Sequence, residues 1–254
     1  MLVAVALASM VIGHSVEGRE IRVTRVGDAA APVNVLVVGD VHGNEPAGEA
    51  IVARLRSVRV DGVAFWLVRT GNPDGRARRT RQNARGVDLN RNFPYRWAAA
   101  ARGTYYPGPR GGSEPETQAL MRLVKRVRPQ LGIYYHQHLG ITVRAPGADP
   151  AIQREYARRT GLPLRSLPAY RGTAIGWQNH LLRDGSAFVV ELRAGRAPAK
   201  THADAVIALA RRIADDARGA TAGRAEDAAV ARGARGGTVA GVAGAPGRRP
   251  GRGR

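Results

Sequence analysis

The sequence of 254 residues contains no cysteine. Disulfides and thiolate metal sites are therefore excluded, and a transition metal could be held only by imidazole and carboxylate groups, which suit Zn²⁺. Aromatic residues are scarce at 5%, and no apolar run reaches the length of a membrane span. No helix-turn-helix, zinc-finger or RNP-type aromatic pattern occurs. We therefore predict neither a membrane span nor a specific nucleic-acid-binding module.

Acidic residues are few relative to basic ones: 20 Asp and Glu stand against 40 Lys and Arg, which gives a net charge of +20 at pH 7. The arginines are spread along a chain that is also rich in Ala and Gly. This distribution favours a compositional origin over a nucleic-acid-binding footprint. A basic surface would still attract anionic partners such as cell-wall polymers, nucleic acid or acidic lipid heads, in a salt-dependent manner.

The two ends of the chain differ from the rest. Residues 1–13 (MLVAVALASMVIG) are apolar but lack the basic n-region of a secretory signal. They are equally consistent with a signal remnant, a first buried strand and part of a longer leader, so a cytoplasmic and a secreted or cell-wall-associated location both stay open. Residues 217–254 are dominated by Ala, Gly, Arg and Pro, which predicts a disordered basic tail, passive rather than polyanion-binding.

Apolar runs and helical spacings alternate between these ends. Strands are predicted at 20–26, 33–38, 63–68, 131–135 and 187–192, and helices at 45–58, 113–127, 150–160, 175–183 and 203–214. Such alternation is typical of an α/β protein with helices around a largely parallel sheet.

Histidines and a glutamate fall just beyond the ends of the predicted strands, where ligands of open α/β sheets bind. His42 and Glu45 lie three residues apart in the turn DVHGNE, and YYHQH contains His136 and His138 on one side of a strand. Each alone is consistent with an ordinary solvated or backbone-bonded side chain. Together they supply the three protein ligands and one open position that are typical of catalytic zinc.

Further polar groups complete a hydrolytic set. Glu191 lies in the apolar strand VVELR, where a carboxylate is either ion-paired, for example with Arg193, or a general base beside a metal. Asn90 and Arg91 in DLNRNFP match a substrate carboxylate, because a guanidinium binds it in a bidentate, charge-assisted way. Arg81 is a second cation, suited to a developing oxyanion.

Seven stretches, in this order and spacing, resemble the zinc carboxypeptidases of the carboxypeptidase A type, and most of all the small bacterial branch that contains the murein peptide amidases. The resemblance extends from about residue 13 to residue 214. It is carried by GHSVEGREI at 13–21, HGNE at 42–45, NPDG at 72–75, TRQNARGVDLNRNFP at 80–94, YYPGPRGGSEPET at 105–117, YHQ at 135–137 and FVVELR at 188–193.

The resemblance implies a role for each of these residues. The metal ligands would be His42, Glu45 and His136, holding one Zn²⁺ per chain. Glu191 would be the general base and acid, and Arg81 would polarise the scissile carbonyl. The substrate's terminal carboxylate would be bound by Asn90 and Arg91. The implied fold is a mixed, largely parallel twisted β-sheet flanked by helices, formed by a catalytic domain over residues 14–216.

One region departs from the family. The digestive members carry a mobile tyrosine shortly after a tryptophan in the region matching GTAIGWQNH, but here Trp177 is followed by no tyrosine. We expect His180 to take its place against the substrate. Thr173 and Ser186 are the candidates for the floor of the specificity pocket.

The expected activity is hydrolysis of a peptide or isopeptide bond next to a terminal carboxylate. By family analogy the substrate is a cell-wall (murein) peptide cleaved before a terminal diaminopimelate. The alternative is an N-acyl amino acid deacylase of the succinylglutamate desuccinylase/aspartoacylase type, which the NPDG and DLNRNFP context disfavours. An inactive binding module and a nucleic-acid-binding protein are two further hypotheses. The sequence does not predict the oligomeric state.

Overall fold

A mixed seven-stranded sheet organises the protein, in the order β1-β2-β4-β3-β5-β6 with β7 also paired to β5. The computed structural model describes residues 8–28 and 30–235, with side chains described as far as residue 223. The strands are β1 (Ala8–His14), β2 (Glu20–Val26), β3 (Val33–Val38), β4 (Val63–Val68), β5 (Leu131–Val143), β6 (Leu164–Arg165) and β7 (Ser186–Arg193).

The centre of the sheet is parallel and the edge is antiparallel. β3 pairs in parallel with β4 and β5, and β5 pairs in parallel with β6 and β7. β1, β2 and β4 pair antiparallel. β4 is buried along its whole length, which explains its unbroken apolar run VAFWLV. The prediction of a mixed, largely parallel sheet flanked by helices is confirmed.

Six helices surround the sheet within the described part of the chain. They are α1 (Gly48–Leu55), α2 (Pro73–Arg78), α3 (Pro115–Val127), α4 (Pro150–Thr160), α5 (Ala174–Leu181) and α6 (Ala199–Arg235). A short 3-10 helix covers Leu89–Arg91. The helix predicted at 113–127 begins two residues later, at Pro115, with Glu114 at the N-cap position. The Ser113 hydroxyl donates a hydrogen bond to the carboxylate of Glu114. No helix of residues 8–28 and 30–235 is long and apolar enough to cross a membrane.

The structure describes part of each end of the chain. Residues 8–14 form strand β1, and residues 1–7 lie outside the described range. The chain divides into two compact units after Asp215. The tail predicted to be disordered begins at residue 217, whereas α6 continues as far as Arg235. Its alanine-rich composition has high intrinsic helix propensity. The remainder of the predicted tail, residues 236–254, lies outside the described range.

Candidate metal centre and active site

The structure brings two imidazoles and a carboxylate to one point, which lies beyond the carboxyl end of β3 and beside the middle of β5. His42 Nδ1 lies 3.0 Å from Glu45 Oε1, and His136 Nδ1 lies 2.9 Å from Glu45 Oε2. The two Nδ1 atoms are 3.1 Å apart. All three residues are buried, with at most 7% of their surface exposed. The ligand atoms of these three residues all lie within 4.8 Å of one another. Among the described residues, no other group of three or more potential metal ligands meets this criterion.

This donor set fits a zinc ion. Tetrahedral zinc with ligands at about 2.0–2.1 Å holds its ligand atoms roughly 3.3 Å apart, close to the separations among His42, Glu45 and His136. The two Nδ1 atoms lie 3.1 Å apart, and each can donate a lone pair to one shared cation. The predicted ligands are therefore together, and three protein ligands leave a fourth position for water or substrate.

The charges in this trio depend on one another. Burial alone would raise the pKa of Glu45, but hydrogen bonds from His136 and His42 hold the pKa well below its usual range. Burial alone would lower the pKa of His42, but Asp88 and Glu45 raise it above the ordinary imidazole value. The metal-free site is thus a network of partial ion pairs that a divalent cation can replace.

Asp88 supports the metal centre and was not singled out in the sequence. Its Oδ1 atom accepts a hydrogen bond from His42 Nε2 at 3.0 Å and its Oδ2 atom one from Arg81 Nε at 3.0 Å. Burial raises the pKa of Asp88, but the hydrogen bond and charge of His42, with the charges of Arg81 and Arg91, bring the pKa far below its usual range. A carboxylate behind a ligating imidazole fixes the ring's tautomer and orientation.

A backbone contact sets the position of the DVHGNE turn. A Cβ atom added at Gly43 would lie 1.9 Å from the backbone carbon of Gly75 in α2. This close approach requires glycine, because a backbone cannot yield as the end of a flexible side chain can. The HGNE and NPDG motifs thus contact each other through their glycine backbones, and this contact places His42 beside Glu45 and His136.

Gly43→Ala is therefore expected to lower the free energy of unfolding by about 3 kcal/mol and to weaken zinc binding. The cause is displacement of the turn that carries His42. Chemical denaturation of the metal-free protein measures the first effect. Gly103→Ala is the matched control, because a Cβ atom there meets nothing within 4 Å. Equal stabilities of the two variants would contradict the role given to this contact.

Glu191 lies beside the metal ligands without a partner. It is paired with His136 in the register of β5 and β7, and it lines the same cleft as all three ligands. Its Oε2 atom is buried without a hydrogen-bond partner. The alternative of an ion pair with Arg193 is wrong, because no carboxylate oxygen of Glu191 forms a salt bridge within the described residues. A buried carboxylate oxygen without a hydrogen-bond partner is costly unless it has a function.

Three further predicted residues line this cleft. Arg81 contacts Asp88 and also reaches Glu45 Oε1 with Nη1 at 3.2 Å. Asn90 accepts a hydrogen bond from the backbone N–H of Ala174 at the start of α5, which fixes its amide. Arg91 Nη1 donates to the backbone carbonyl of Asn90 at 2.8 Å. Burial lowers the pKa of Arg91, against the raising effect of Asp88, and the guanidinium stays charged.

Two residues predicted for substrate contact lie elsewhere. His180 stacks on Tyr95 with ring centroids 4.0 Å apart, in a neighbouring depression. It lies six residues into α5 from Ala174, about 9 Å along the helix axis, and so does not line the cleft. Ser186 is buried and accepts a hydrogen bond from the backbone N–H of Asp149, whereas Thr173 does line the cleft.

The cleft contains residues that the sequence did not reveal. It has a volume of about 350 Å³. Tyr105 and Tyr170 are more than half exposed at its mouth, and the Arg91 guanidinium lies 5.6 Å and 4.3 Å from their ring centroids. Arg144, just after β5, also lines the cleft and has no side-chain partner in the described part of the chain. The apolar wall consists of Leu139, Val143, Pro146, Leu167, Pro168, Ile175 and Val189.

A buried His–Glu–His trio in a mixed sheet, with Glu191 beside it, has the set of residues expected of the zinc carboxypeptidase class. The comparisons with known proteins agree. The sequence profile of the zinc carboxypeptidases matches residues 6–145, and the chain belongs to that family.

Individual relatives align either over a short part of the chain or over a longer part at lower identity. Murein peptide amidase A of Escherichia coli strain K12 is 36% identical over 125 residues, which cover 44% of this chain and 52% of that protein. A metallocarboxypeptidase A-like protein of Trichophyton verrucosum is 27% identical over 237 residues, or 71% of this chain and 56% of that protein. The chain thus aligns with about half the length of these curated relatives.

Solved structures share the fold. The murein-tripeptide amidase of Escherichia coli O157 superposes with a TM-score of 0.67 at 24% identity, covering 82% of this chain and 93% of that one. Carboxypeptidase A of Helicoverpa armigera gives a TM-score of 0.68 at 19% identity, covering 82% and 68%. At these identities the likeness concerns the fold alone.

Proposed function

We propose that the protein is a zinc-dependent carboxypeptidase or amidase that hydrolyses a peptide or isopeptide bond next to a terminal carboxylate. The observation that carries this proposal is the unpaired Oε2 atom of Glu191, buried in the cleft of the His42, Glu45 and His136 trio. A buried free carboxylate beside a metal point is the arrangement that a general base requires.

The residues of the cleft divide the chemistry among them. A zinc ion at the trio would supply Lewis-acid activation of the carbonyl and of the attacking water. Glu191 takes a proton from that water and returns it to the leaving amine. Arg81, held by Asp88, stabilises the negative charge that develops on the carbonyl oxygen.

Substrate orientation comes from Asn90 and Arg91, which line the same cleft. Arg91 presents its guanidinium between two tyrosine rings, and Asn90 is fixed by Ala174. A terminal carboxylate bound there would direct cleavage to the last peptide bond, which makes the enzyme an exopeptidase. Murein peptide amidases are among the relatives, which supports a cell-wall peptide as substrate.

Arg144 supports a substrate with a second carboxylate. It is the one arginine of the cleft without a side-chain hydrogen bond or ring contact within the described residues, and the wall around it is apolar. An apolar stem with an anionic end fits such a wall, because the methylene groups are buried while the charge meets a guanidinium. A terminal dicarboxylic residue, such as diaminopimelate, has this shape.

We therefore expect Arg144→Gln to lower kcat/KM by roughly 10- to 100-fold for substrates with a dicarboxylic terminal residue, since a hydrogen bond to a charged group contributes about 1.5–3 kcal/mol. Substrates with a neutral terminal residue should change little. Arg165→Gln is the matched control. Arg165 in β6 pairs with Val143 in β5, the residue before Arg144, but it does not line the cleft. A uniform loss across both substrate types would contradict this role.

A substrate panel on one preparation tests the proposed function. It contains a murein tripeptide, ordinary dipeptides, the same dipeptides with an amidated C-terminus, and N-succinyl amino acids, each with and without a chelator. The proposal expects hydrolysis that the chelator abolishes and that C-terminal amidation reduces strongly. Turnover of N-succinyl amino acids alone would favour the deacylase alternative. Chelator-insensitive turnover, or none on any substrate, would refute the proposal.

A further inference from the structure

A second depression, larger than the active-site cleft, lies between α1 and the outer strands β1, β2 and β4. Its volume is about 860 Å³. Five arginines line it, and we call it the arginine trough: Arg22, Arg56, Arg69, Arg76 and Arg196. Nothing in the proposed hydrolytic mechanism uses these side chains.

The fold explains why the trough is open. Ser9 is paired with Thr24 across β1 and β2, so the two small side chains share one face of the sheet. The helix above also presents small side chains, because Ala50 and Ala53 are three residues apart on one face of α1. Small residues on both sides leave a channel that no large side chain fills.

The charge in the trough exceeds what composition explains. In the whole chain, basic residues outnumber acidic ones 40 to 20, whereas the trough is lined by five arginines and one acid, Glu49. Glu49 is 9% exposed and accepts hydrogen bonds from Nε of Arg69 at 2.6 Å and Nε of Arg76 at 2.5 Å. The buried acid thus orients two guanidinium groups rather than neutralising the trough.

Part of the hydrogen-bonding capacity of these arginines is free, although Arg22 is held by Glu20 Oε2, which lies 2.7 Å from its Nε and Nη2 atoms. The Nη groups of Arg69 and Arg76 have no hydrogen-bond partner within the described residues, since both use Nε toward Glu49. Arg56 and Arg196 form no side-chain hydrogen bond or ion pair there either. Guanidinium groups held in this way match the oxygens of phosphate groups in a bidentate manner.

The rest of the lining restricts the ligand. No aromatic side chain lines the trough, whereas proteins that bind single-stranded nucleic acid stack bases on such rings. Its larger apolar residues, Val52 and Leu67, are 4% and 1% exposed, so it lacks the apolar anchors of a protein interface. We propose that the arginine trough binds a linear polymer of phosphate groups that carries no bases.

The trough is close to the active site along the chain. Pro46 and Ala47 line it and directly follow the candidate ligand Glu45. Gln137, which lines the active-site cleft, accepts a hydrogen bond from Ala47 N and donates one to the carbonyl of Gly195, another trough residue. A polymer bound in the trough would thus keep the cleft near whatever peptide accompanies that polymer.

Fluorescently labelled inorganic polyphosphate is the probe, with binding to the full-length chain measured by anisotropy over a range of salt concentrations. The test variant is Arg56→Gln/Arg69→Gln/Arg196→Gln. The control, Arg85→Gln/Arg102→Gln/Arg110→Gln, removes the same charge from another arginine-lined depression. Both keep the basic residues of 236–254, and thermal unfolding verifies that both are folded.

The trough variant is expected to bind polyphosphate at least tenfold more weakly than the control, with a salt slope smaller by about two, because phosphate contacts are lost. Its hydrolysis of a small peptide should equal that of the wild type. Equal loss in both variants would overturn the proposal, since net charge alone would then account for binding. So would tighter trough-dependent binding of polyglutamate or duplex DNA than of polyphosphate.

Discussion

Glu191→Gln is expected to lower kcat by about 10²–10⁴-fold, the range that a general base contributes. The amide has nearly the same shape but cannot accept the proton of the attacking water. KM and zinc content should stay close to those of the wild type, because Glu191 is neither a candidate ligand nor part of the carboxylate-binding wall. Steady-state kinetics and metal analysis on the same preparation measure these quantities.

The same substitution should leave stability unchanged or raise it. Glu191 Oε2 is buried without a hydrogen-bond partner, and at such a point a neutral amide costs less to desolvate than a carboxylate oxygen. A variant that is inactive and at least as stable as the wild type is the signature of a residue retained for chemistry. Thermal unfolding of the wild type and variant, both metal-free, makes this comparison.

Arg193→Gln is the control for this prediction. If Glu191 had the structural role of an ion-pair partner, losing Arg193 on the same strand would reproduce the effect of Glu191→Gln. We expect the Arg193 variant to keep nearly full activity, because its exposed side chain forms no salt bridge with Glu191. Equal losses in the two variants, or full activity of Glu191→Gln, would remove the proposed base.

The central strands and the residues that follow them could be predicted because a strand buried on both faces requires an unbroken apolar sequence. β4 is apolar throughout since both faces of the sheet are covered there. His42 and His136 follow or end such runs, and a largely parallel sheet places strand ends at one edge. The register of Val38 with Tyr134 then brings the two histidines together.

Residues that depend on loop positions could not be predicted in the same way. Tyr105, Tyr170 and Arg144 meet in one cleft although they are far apart in the chain and have no periodicity that relates them. Asp88 is the first residue of DLNRNFP, but only the structure shows that its two oxygens join an imidazole to a guanidinium.

His180 shows what a motif position does not give. Its expected contact with the substrate rests on a sequence position shortly after Trp177, where the digestive members of the family carry a tyrosine. The first turn of α5 faces the cleft through Ala174, which bonds to Asn90, and each further residue moves the chain about 1.5 Å along the axis. A position within a motif therefore does not give the direction of a helical side chain.

The arginines show why composition alone is ambiguous. The number of arginines does not show which of them belong to a functional site and which only reflect the overall composition. The distinction came from contacts: Arg81 and Arg91 are held at the cleft by Asp88, Asn90 and aromatic rings, whereas Arg69 and Arg76 are oriented by one buried glutamate. Function follows from what holds each guanidinium, and sequence does not record that.

His136→Ala is expected to abolish both zinc binding and activity. The substitution removes one of three candidate ligands and leaves Glu45 with His42 alone, which is too few for a catalytic zinc site. The wild type should bind about one zinc ion per chain and unfold at a higher temperature when zinc is added. Saturation at about 100 times Kd corresponds to roughly 2.7 kcal/mol, or some 5–10 °C for a domain of this size.

The melting temperature of His136→Ala should not respond to zinc, which separates a lost ligand from a general loss of stability. Asp88→Asn provides a graded comparison, because it keeps all three ligands but weakens the support of His42 and Arg81. Its zinc affinity should fall by about 10–100-fold, with occupancy restored at high zinc. A zinc-dependent rise in the melting temperature of His136→Ala equal to that of the wild type would place the metal elsewhere. The mechanism proposed for Glu191 would then lose its basis, since that carboxylate has a reason to stay unpaired only beside an ion at this point.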